Sequence, residues 1–422
     1  MKTKAIRLYG KGDLRLDEFE LPAIREDEIL ARIISDSICM SSYKASVQGS
    51  DHKRVPKDVA VNPVIIGHEF CGEIVEVGAK WAKQFQPGMR FSIQPAINDP
   101  ADLHAAPGYS FRWIGGDSQY IVIPAIVMEH GCLLDYKAEA FFYGSLAEPM
   151  SCIVGAFHAS YHTHAGSYAH DMGIVQGGDM ALLAGVGPMG IGAIDYAIHC
   201  DRRPGKLVVT DIDEARLARA ASIYTVAEAA RNGVELLYVN TSGLEDVPAY
   251  LRSLTPDGKG YDDVFVFAPV KPVVEQGDRI LGYDGCLNFF AGPTNTAFSA
   301  DFNFYDVHYM AHHVVGTSGG NTDDMVESLA MMTDGRIDPS SMITHVGGLD
   351  AVIETTLNLP KIPGGKKLMY VELSMPLAAI ADFRALGATD PLFAKLADIT
   401  EANNGLWCLE AERYLLAHQK RI

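Results

Sequence analysis

Hydrophobic and polar positions follow two different rhythms along this chain. Up to about residue 150, short β-branched runs are broken by Gly, Pro and polar residues: "EILARIISDSIC", "VIIGHEF", "CGEIVEVG", "MRFSIQ" and "SQYIVIP". Strands of this length, separated by turn signals such as "QPG", predict an antiparallel, barrel-like domain. After Pro149 the texture changes. "DMALLAG", "KLVVTDI", "VELLYV", "DDVFVFA", "GCLNFFAG" and "HHVVGTS" are apolar over the length of a strand, and helical patterns such as "DEARLARAASIY" lie between several of them. Strands buried on both faces and alternating with helices predict an α/β domain with a doubly wound parallel sheet. From about residue 325 come a helix, "DDMVESLAMMTDG", and a strand, "KKLMYVEL". The tail from Met375 has a helical, amphipathic pattern and is expected to pack on the first domain or on a partner subunit. The expected organisation is a strand-rich domain over residues 1–156, a parallel-sheet domain over 157–318, and a return to the first domain over 319–422.

Composition narrows the functional classes. The 422 residues are enough for two domains, and the 48% hydrophobic and 21% charged content is that of a soluble globular protein. A net charge of -18 argues against nucleic acid and anionic membrane as partners, because both need a basic face. No basic-then-apolar leader opens the sequence and no apolar run has the length of a membrane span, so a cytoplasmic location is expected. The seven scattered cysteines, without a Cys-x-x-Cys, fit a reducing compartment rather than a disulfide framework.

The segment "ALLAGVGPMGIGAIDYAIH" holds Gly185-x-Gly187-x-x-Gly190, with Pro188 and Met189 between the last two glycines. It follows an apolar strand, opens a helical pattern, and is followed about 20 residues later by "VVTD", ending at Asp211. Together these contexts predict a dinucleotide site. The glycines allow a tight turn and close approach of a pyrophosphate, and the helix N-terminus offers free N–H groups. Asp211 can accept hydrogen bonds from ribose hydroxyls and repels a 2′-phosphate, which favours NAD(H) over NADP(H). Arg216 and Arg202 are near enough in sequence to make NADP(H) conceivable, and a bland role for Asp211 is as the N-cap of "DEARLARA".

Three further segments bear on a metal. "PVIIGHEFCGEIVEVG" places His68 and Glu69 together between two apolar runs, which alone reads as a polar turn. "SICMSSYK" places Cys39 after a strand, beside Ser41, Ser42 and Lys44, and "SLAEPMSCIVGAF" places Glu148 among small apolar residues, a costly position for a charge without a partner. Cys, His and Glu from separate segments match an open catalytic zinc site with three protein ligands. The residues leave open whether Glu69 or Glu148 is the carboxylate ligand.

The order Cys-x-Ser, Gly-His-Glu, Glu-Pro, Gly-x-Gly-x-x-Gly and Thr-Asp, with "GGDSQYIVIP" and "QPGMRFSI", resembles the zinc-dependent medium-chain alcohol and polyol dehydrogenases over about residues 1–370. The resemblance implies a GroES-like β-barrel catalytic domain plus a Rossmann domain, with the active site in the cleft between them. "FFAGP", "TSGGNTDDM", "ITHVGGLDAVIETT" and "IPGGKKLMY" look most like the L-sorbose-1-phosphate reductases within that group. It also implies a homodimer or homotetramer paired along the edge strand "HHVVGTS". Three departures stand out. The lobe that carries a structural zinc in many members, here "FSIQPAINDPADLHAAPGYSFRW", has no cysteine, so one zinc is expected. Ser42 stands where the family has an Asp that orients the zinc-bound His, so another group is expected to hold His68. An insertion, "YHTHAGSYAHDMG", carries His162, His164 and His170, which read as a solvated loop with metal binding as the alternative.

The expected reaction is a zinc-assisted hydride transfer between NAD(H) and a sugar phosphate, L-sorbose 1-phosphate to D-glucitol 6-phosphate. Ser41 is the expected first proton relay, and Glu69 and Lys44 stand beside it as catalytic candidates. Lys44, Lys53 and Arg54, from the basic run "KASVQGSDHKRVPKD", are the candidates for the substrate phosphate. Competing readings are a polyol dehydrogenase acting on unphosphorylated substrate, a zinc-free reductase on the same fold, and a non-catalytic nucleotide-binding relative.

Overall fold

The computed structural model describes residues 1–422. The chain divides into two compact units, one formed by Met1–Pro149 with Asn321–Ile422 and the other by Met150–Gly320. The first division falls a few residues before the one expected from sequence, at Pro149, inside the long helix Phe141–Ala159.

In the first unit the strands Ala378–Ala379, Ile343–Gly348, Lys366–Tyr370, Ile29–Ile38, Phe70–Val77, Arg90–Ile93 and Leu133–Asp135 lie side by side in that order, and Tyr120–Ile123 also pairs with Ile29–Ile38. A smaller sheet joins Asp13–Glu20, Lys2–Gly10 and Val64–Ile65. Pairing is antiparallel except between Ile343–Gly348 and Lys366–Tyr370. Ile29–Ile38 is buried along almost its whole length because strands flank it on both sides. Its register sets Lys367 opposite Ile38 and Phe70 opposite Asp36. Lys366 and the His68–Glu69 turn are thereby brought to the end of the strand that leads into Cys39.

The tail packs on this same unit. Phe383, Phe393, Trp407 and Leu415 share a core with Ile34, Phe142, Leu146 and Tyr370. The polar atoms brought in are paired, as burial requires. Trp407 Nε1 donates to Tyr370 Oη at 2.8 Å, and Tyr370 Oη donates to Glu412 Oε1 at 2.9 Å. Glu412 also accepts from the backbone N–H groups of Phe141 and Phe142 at 2.7 and 2.9 Å. It therefore satisfies orphan donors at the start of the helix that carries Glu148.

The second unit is built on a six-stranded parallel sheet in the order Glu235–Asn240, Lys206–Asp211, Asp179–Leu183, Tyr261–Val266, Leu281–Phe289, His313–Val315. The direction of progression reverses next to Asp179–Leu183, the first strand, as in a Rossmann fold, where ligands bind beyond the carboxyl ends of the strands. Asp179–Leu183 is wholly buried, which explains the apolar run Met180–Leu183. The hairpin Tyr161–His162 with Asp171–Met172 holds the histidine-containing insertion. His162 is not solvated as expected: it is buried, with Nδ1 2.9 Å from the carbonyl oxygen of Asp284 and Nε2 3.2 Å from Asp263 Oδ1. The carboxylates of the neighbouring strands pull this imidazole inward.

Candidate metal centre and dinucleotide site

Cys39 is the extended residue that caps the helix Met40–Gln48, directly after the central strand. His68 and Glu69 lie in the turn between Val64–Ile65 and Phe70–Val77. The sulfur of Cys39, a ring nitrogen of His68 and a carboxylate oxygen of Glu69 all fall within 4.8 Å of one another. Glu148, on Phe141–Ala159, is buried and its charge acts on Cys39 and Lys366, but it lies outside this group of three.

His68 is held at both nitrogens. Ser42 Oγ is 3.1 Å from Nδ1, and Tyr109 Oη is 3.2 Å from Nε2. The expectation that some group other than Ser42 must hold His68 is therefore corrected. A hydroxyl one helical turn past Cys39 reaches the ring that a carboxylate was expected to orient. Burial, then the charges of Arg54 and Lys366, lower the His68 pKa well below the usual value, so the ring is neutral, the form that binds metal. Burial and then the Glu69 carboxylate push the Cys39 thiol up, which makes a cation the natural partner for its thiolate. One soft sulfur, one imidazole and one carboxylate form the donor set of an open zinc site, and the residues present fit that ion.

Two participants left no local signal. Lys366 Nζ lies 2.5 and 2.7 Å from the two oxygens of Glu69, and both side chains are buried. Tyr109 stands in the cysteine-free lobe, buried against His68. Behind the turn, Asp36 and Asp117 are buried together, and Asp36 Oδ1 accepts from the N–H of Glu69 at 3.2 Å. Burial, then the Asp117 and Glu69 charges, raise the Asp36 pKa well above the carboxylate range.

Among the residues read as relay and phosphate candidates, Ser41 Oγ is 3.3 Å from Cys39 Sγ. Lys44 lies on the helix Met40–Gln48. Arg54 places its guanidinium 5.2 Å from the Tyr109 ring centre, and Lys53 is exposed. Burial, then Arg54, Lys53, Lys44 and His104 in that order, lower the His52 pKa to about 4. These cations therefore share one neighbourhood.

In the second unit, Gly187 caps the helix Pro188–His199, with Pro188 at its start, as a pre-set φ favours. A Cβ on Gly190 would stand 2.2 Å from the Gly185 carbonyl oxygen, so the helix can approach the strand only as glycine. A Cβ on Gly187 would meet nothing within 4 Å, so the space beside this turn is open. Asp211 ends the strand Lys206–Asp211, and its Oδ1 accepts from the N–H groups of Ile212 and Asp213 at 2.8 and 3.0 Å. It is not the helix cap: Asp213 caps Glu214–Ile223. Arg216 pairs with Asp213 at 3.4 Å, and Arg202 with Asp171 at 2.8 Å.

A strand-rich unit with a Cys–His–Glu donor set and a Rossmann unit with its glycine turn define, in one chain, the zinc-dependent medium-chain dehydrogenases. Residues 25–130 match the alcohol dehydrogenase GroES-like domain family and residues 188–334 the zinc-binding dehydrogenase family. The chain belongs to this family and is an oxidoreductase of its alcohol and polyol dehydrogenase branch. It is 54% identical to YggP of Escherichia coli (strain K12), over 99% of this chain and 97% of that protein. It is 53% identical to mannitol-1-phosphate 5-dehydrogenase of Aliivibrio fischeri (strain ATCC 700601 / ES114), over 98% and 97% of the two chains. It is 49% identical to L-sorbose 1-phosphate reductase of Klebsiella pneumoniae, over 100% and 98%. The fold is shared with 2R,3R-butanediol dehydrogenase from Bacillus subtilis, with a TM-score of 0.68 at 22% identity over 87% of this chain and 99% of that one.

Proposed function

We propose that this protein transfers a hydride between NAD(H) and a sugar phosphate, with L-sorbose 1-phosphate and D-glucitol 6-phosphate as the first pair to test. The observation that carries the phosphate reading is the cation group of Lys44, Lys53 and Arg54, whose Arg54 member lies over the ring that touches His68. The strongly acidic chain otherwise repels an anionic substrate, so a local basic site is what lets one bind. Two relatives named for sugar-phosphate reactions agree with this reading.

Cys39, His68 and Glu69 would hold one zinc, with Glu148 close by. Bound there, zinc supplies Lewis acidity to a carbonyl or alcohol oxygen. Ser42 orients His68, and Lys366 neutralises Glu69. Ser41 can both accept and donate, so it can pass a proton at its Oγ. Gly185, Gly187 and Gly190 seat the pyrophosphate, and Asp211 accepts from the ribose hydroxyls in place of a 2′-phosphate. We read the chain as a homodimer or homotetramer through the edge strand His313–Val315, which sedimentation at micromolar concentration would refute by showing a monomer.

The test is NADH and NADPH oxidation with phosphorylated and free ketoses, on protein whose zinc content is measured. Reduction of ketose phosphates with NADH at one zinc per chain supports the proposal. Equal turnover of free L-sorbose refutes the phosphate site and leaves a polyol dehydrogenase.

A further inference from the structure

Tyr109 has no role in the reading above, yet its side chain is fixed against the candidate donor His68 on several sides. Its ring is buried, tilted against His68 with centres 4.8 Å apart, and stacked on His52 at 5.8 Å with an 11° angle between planes. Arg54 covers it at 5.2 Å. The backbone is fixed as well. Gly108, at φ +77, runs so close to the ligand turn that a Cβ there would stand 2.0 Å from the Gly67 carbonyl oxygen. Ser110 Oγ donates to the Arg54 carbonyl oxygen at 2.8 Å. The ring therefore has little freedom to swing away.

The hydroxyl is aimed with the same economy. Ser42 holds His68 Nδ1 and Tyr109 Oη holds Nε2, at 3.2 Å; an ion taken up through Nε2 would claim that nitrogen's lone pair and release the hydroxyl for another acceptor. Ser41 Oγ lies 3.3 Å from Cys39 Sγ. A hydroxyl 3.2 Å from Nε2 would stand near an ion held through that nitrogen, and so near an oxygen bound to the ion.

We propose that Tyr109 is a catalytic residue that donates a hydrogen bond to the substrate oxygen as charge develops on it. This rests on the hydride-transfer reading above. The step is the reduction itself: the hydride leaves the dihydronicotinamide C4 and bonds to the carbonyl carbon, and the C–O π pair moves onto the oxygen that Tyr109 faces. That oxygen finally takes a proton from solvent through Ser41. A preorganised donor aimed at a developing oxyanion stabilises the transition state more than the ground state. It therefore acts on kcat rather than on substrate binding.

The test is Tyr109→Phe in the full zinc-loaded chain. Phenylalanine keeps the stack on His52 and Arg54 and removes only the hydroxyl. Zinc per chain is read by elemental analysis, NADH affinity by fluorescence, and affinity for the sugar-alcohol product by calorimetry. Kinetics follow on whichever ketoses the wild type reduces from a panel of phosphorylated and free ones. The expected result is a kcat lower by about 10²–10³, the size of one lost oxyanion donor, with zinc, NADH and product binding within a factor of three of wild type. A kcat within threefold of wild type, a loss confined to KM, or a loss of zinc overturns the proposal, the last by making Tyr109 a metal or structural partner. A wild type that reduces only free ketoses refutes the phosphate reading while the same kcat split still decides Tyr109. A wild type that reduces no member of the panel with either dinucleotide removes both.

Discussion

Replacing Lys366 with methionine probes the least visible part of the candidate metal centre. The wild-type ammonium spans both oxygens of Glu69 at 2.5 and 2.7 Å, with side-chain exposures of 7% and 1%. Burial works against the charge on Lys366, but the attraction of Glu69 and then Cys39 outweighs it and raises the lysine pKa. Methionine fills similar volume and leaves the Glu69 carboxylate buried without its counter-charge. Removing one partner of such a pair costs about 3–5 kcal/mol, and at about 2–4 °C per kcal/mol for a unit of this size the melting temperature should fall by roughly 6–20 °C. The assay is thermal unfolding of wild type, Lys366→Met, Glu69→Gln and the double variant, each after chelator treatment and again with zinc. In Glu69→Gln the carboxylate is gone, so the lysine substitution should cost much less there. Zinc should also shrink the loss in Lys366→Met, because the ion supplies the missing positive charge and binds only the folded state. A single-variant shift under 2 °C, or an equal lysine penalty with and without the Glu69 carboxylate, would refute the argument.

Cys39→Ser should abolish stoichiometric zinc and activity while moving the melting temperature by only a few degrees, since an open three-ligand site is catalytic rather than structural; elemental analysis finding two tightly bound zincs in wild type would contradict the single site. Asp211→Ala should weaken NADH binding by roughly tenfold, the scale of hydrogen bonds to a charged group, and NADPH binding less; fluorescence titration showing wild-type preference for NADPH would count against Asp211 as the selector. Arg54→Ala should raise KM roughly tenfold for a ketose phosphate and hardly at all for the free ketose, whereas equal kcat losses on both would point away from a phosphate contact. Burial raises the Asp117 pKa to about 7, so as pH rises from about 4 the unfolded chain releases this proton before the folded one does, and stability falls with pH over that window. Asp117→Asn should flatten that fall, and melting curves at pH 5 and pH 8 with the same slope in variant and wild type would show that this carboxyl is not the cause.

What the sequence determined by itself is what depends on neighbours in the chain. Asp179–Leu183 buries every residue, and the strand-to-helix turn needs glycine where Gly190 meets Gly185, so the apolar run Met180–Leu183 and the glycine spacing could be read directly. His68 beside Glu69 reads alone as a polar turn, and these residues became legible as candidate metal donors only together with Cys39 after a strand and Glu148, a charge costly among small apolar residues without a partner. Only the tertiary structure decided which groups complete the centre. Lys366 reaches Glu69 across 297 residues, and Tyr109 reaches His68 across 41. Neither contact has a period or a local signal, since each is set by strand register and loop path. Whether Ser42 could replace a carboxylate turned on a 3.1 Å approach to Nδ1, and Glu69 rather than Glu148 joins Cys39 and His68 because the turn brings its oxygen within 4.8 Å of both. Hydrogen bonds and ligand fields fall off over such distances, while the pattern of hydrophobic and polar residues specifies the chain only to the nearest element and face.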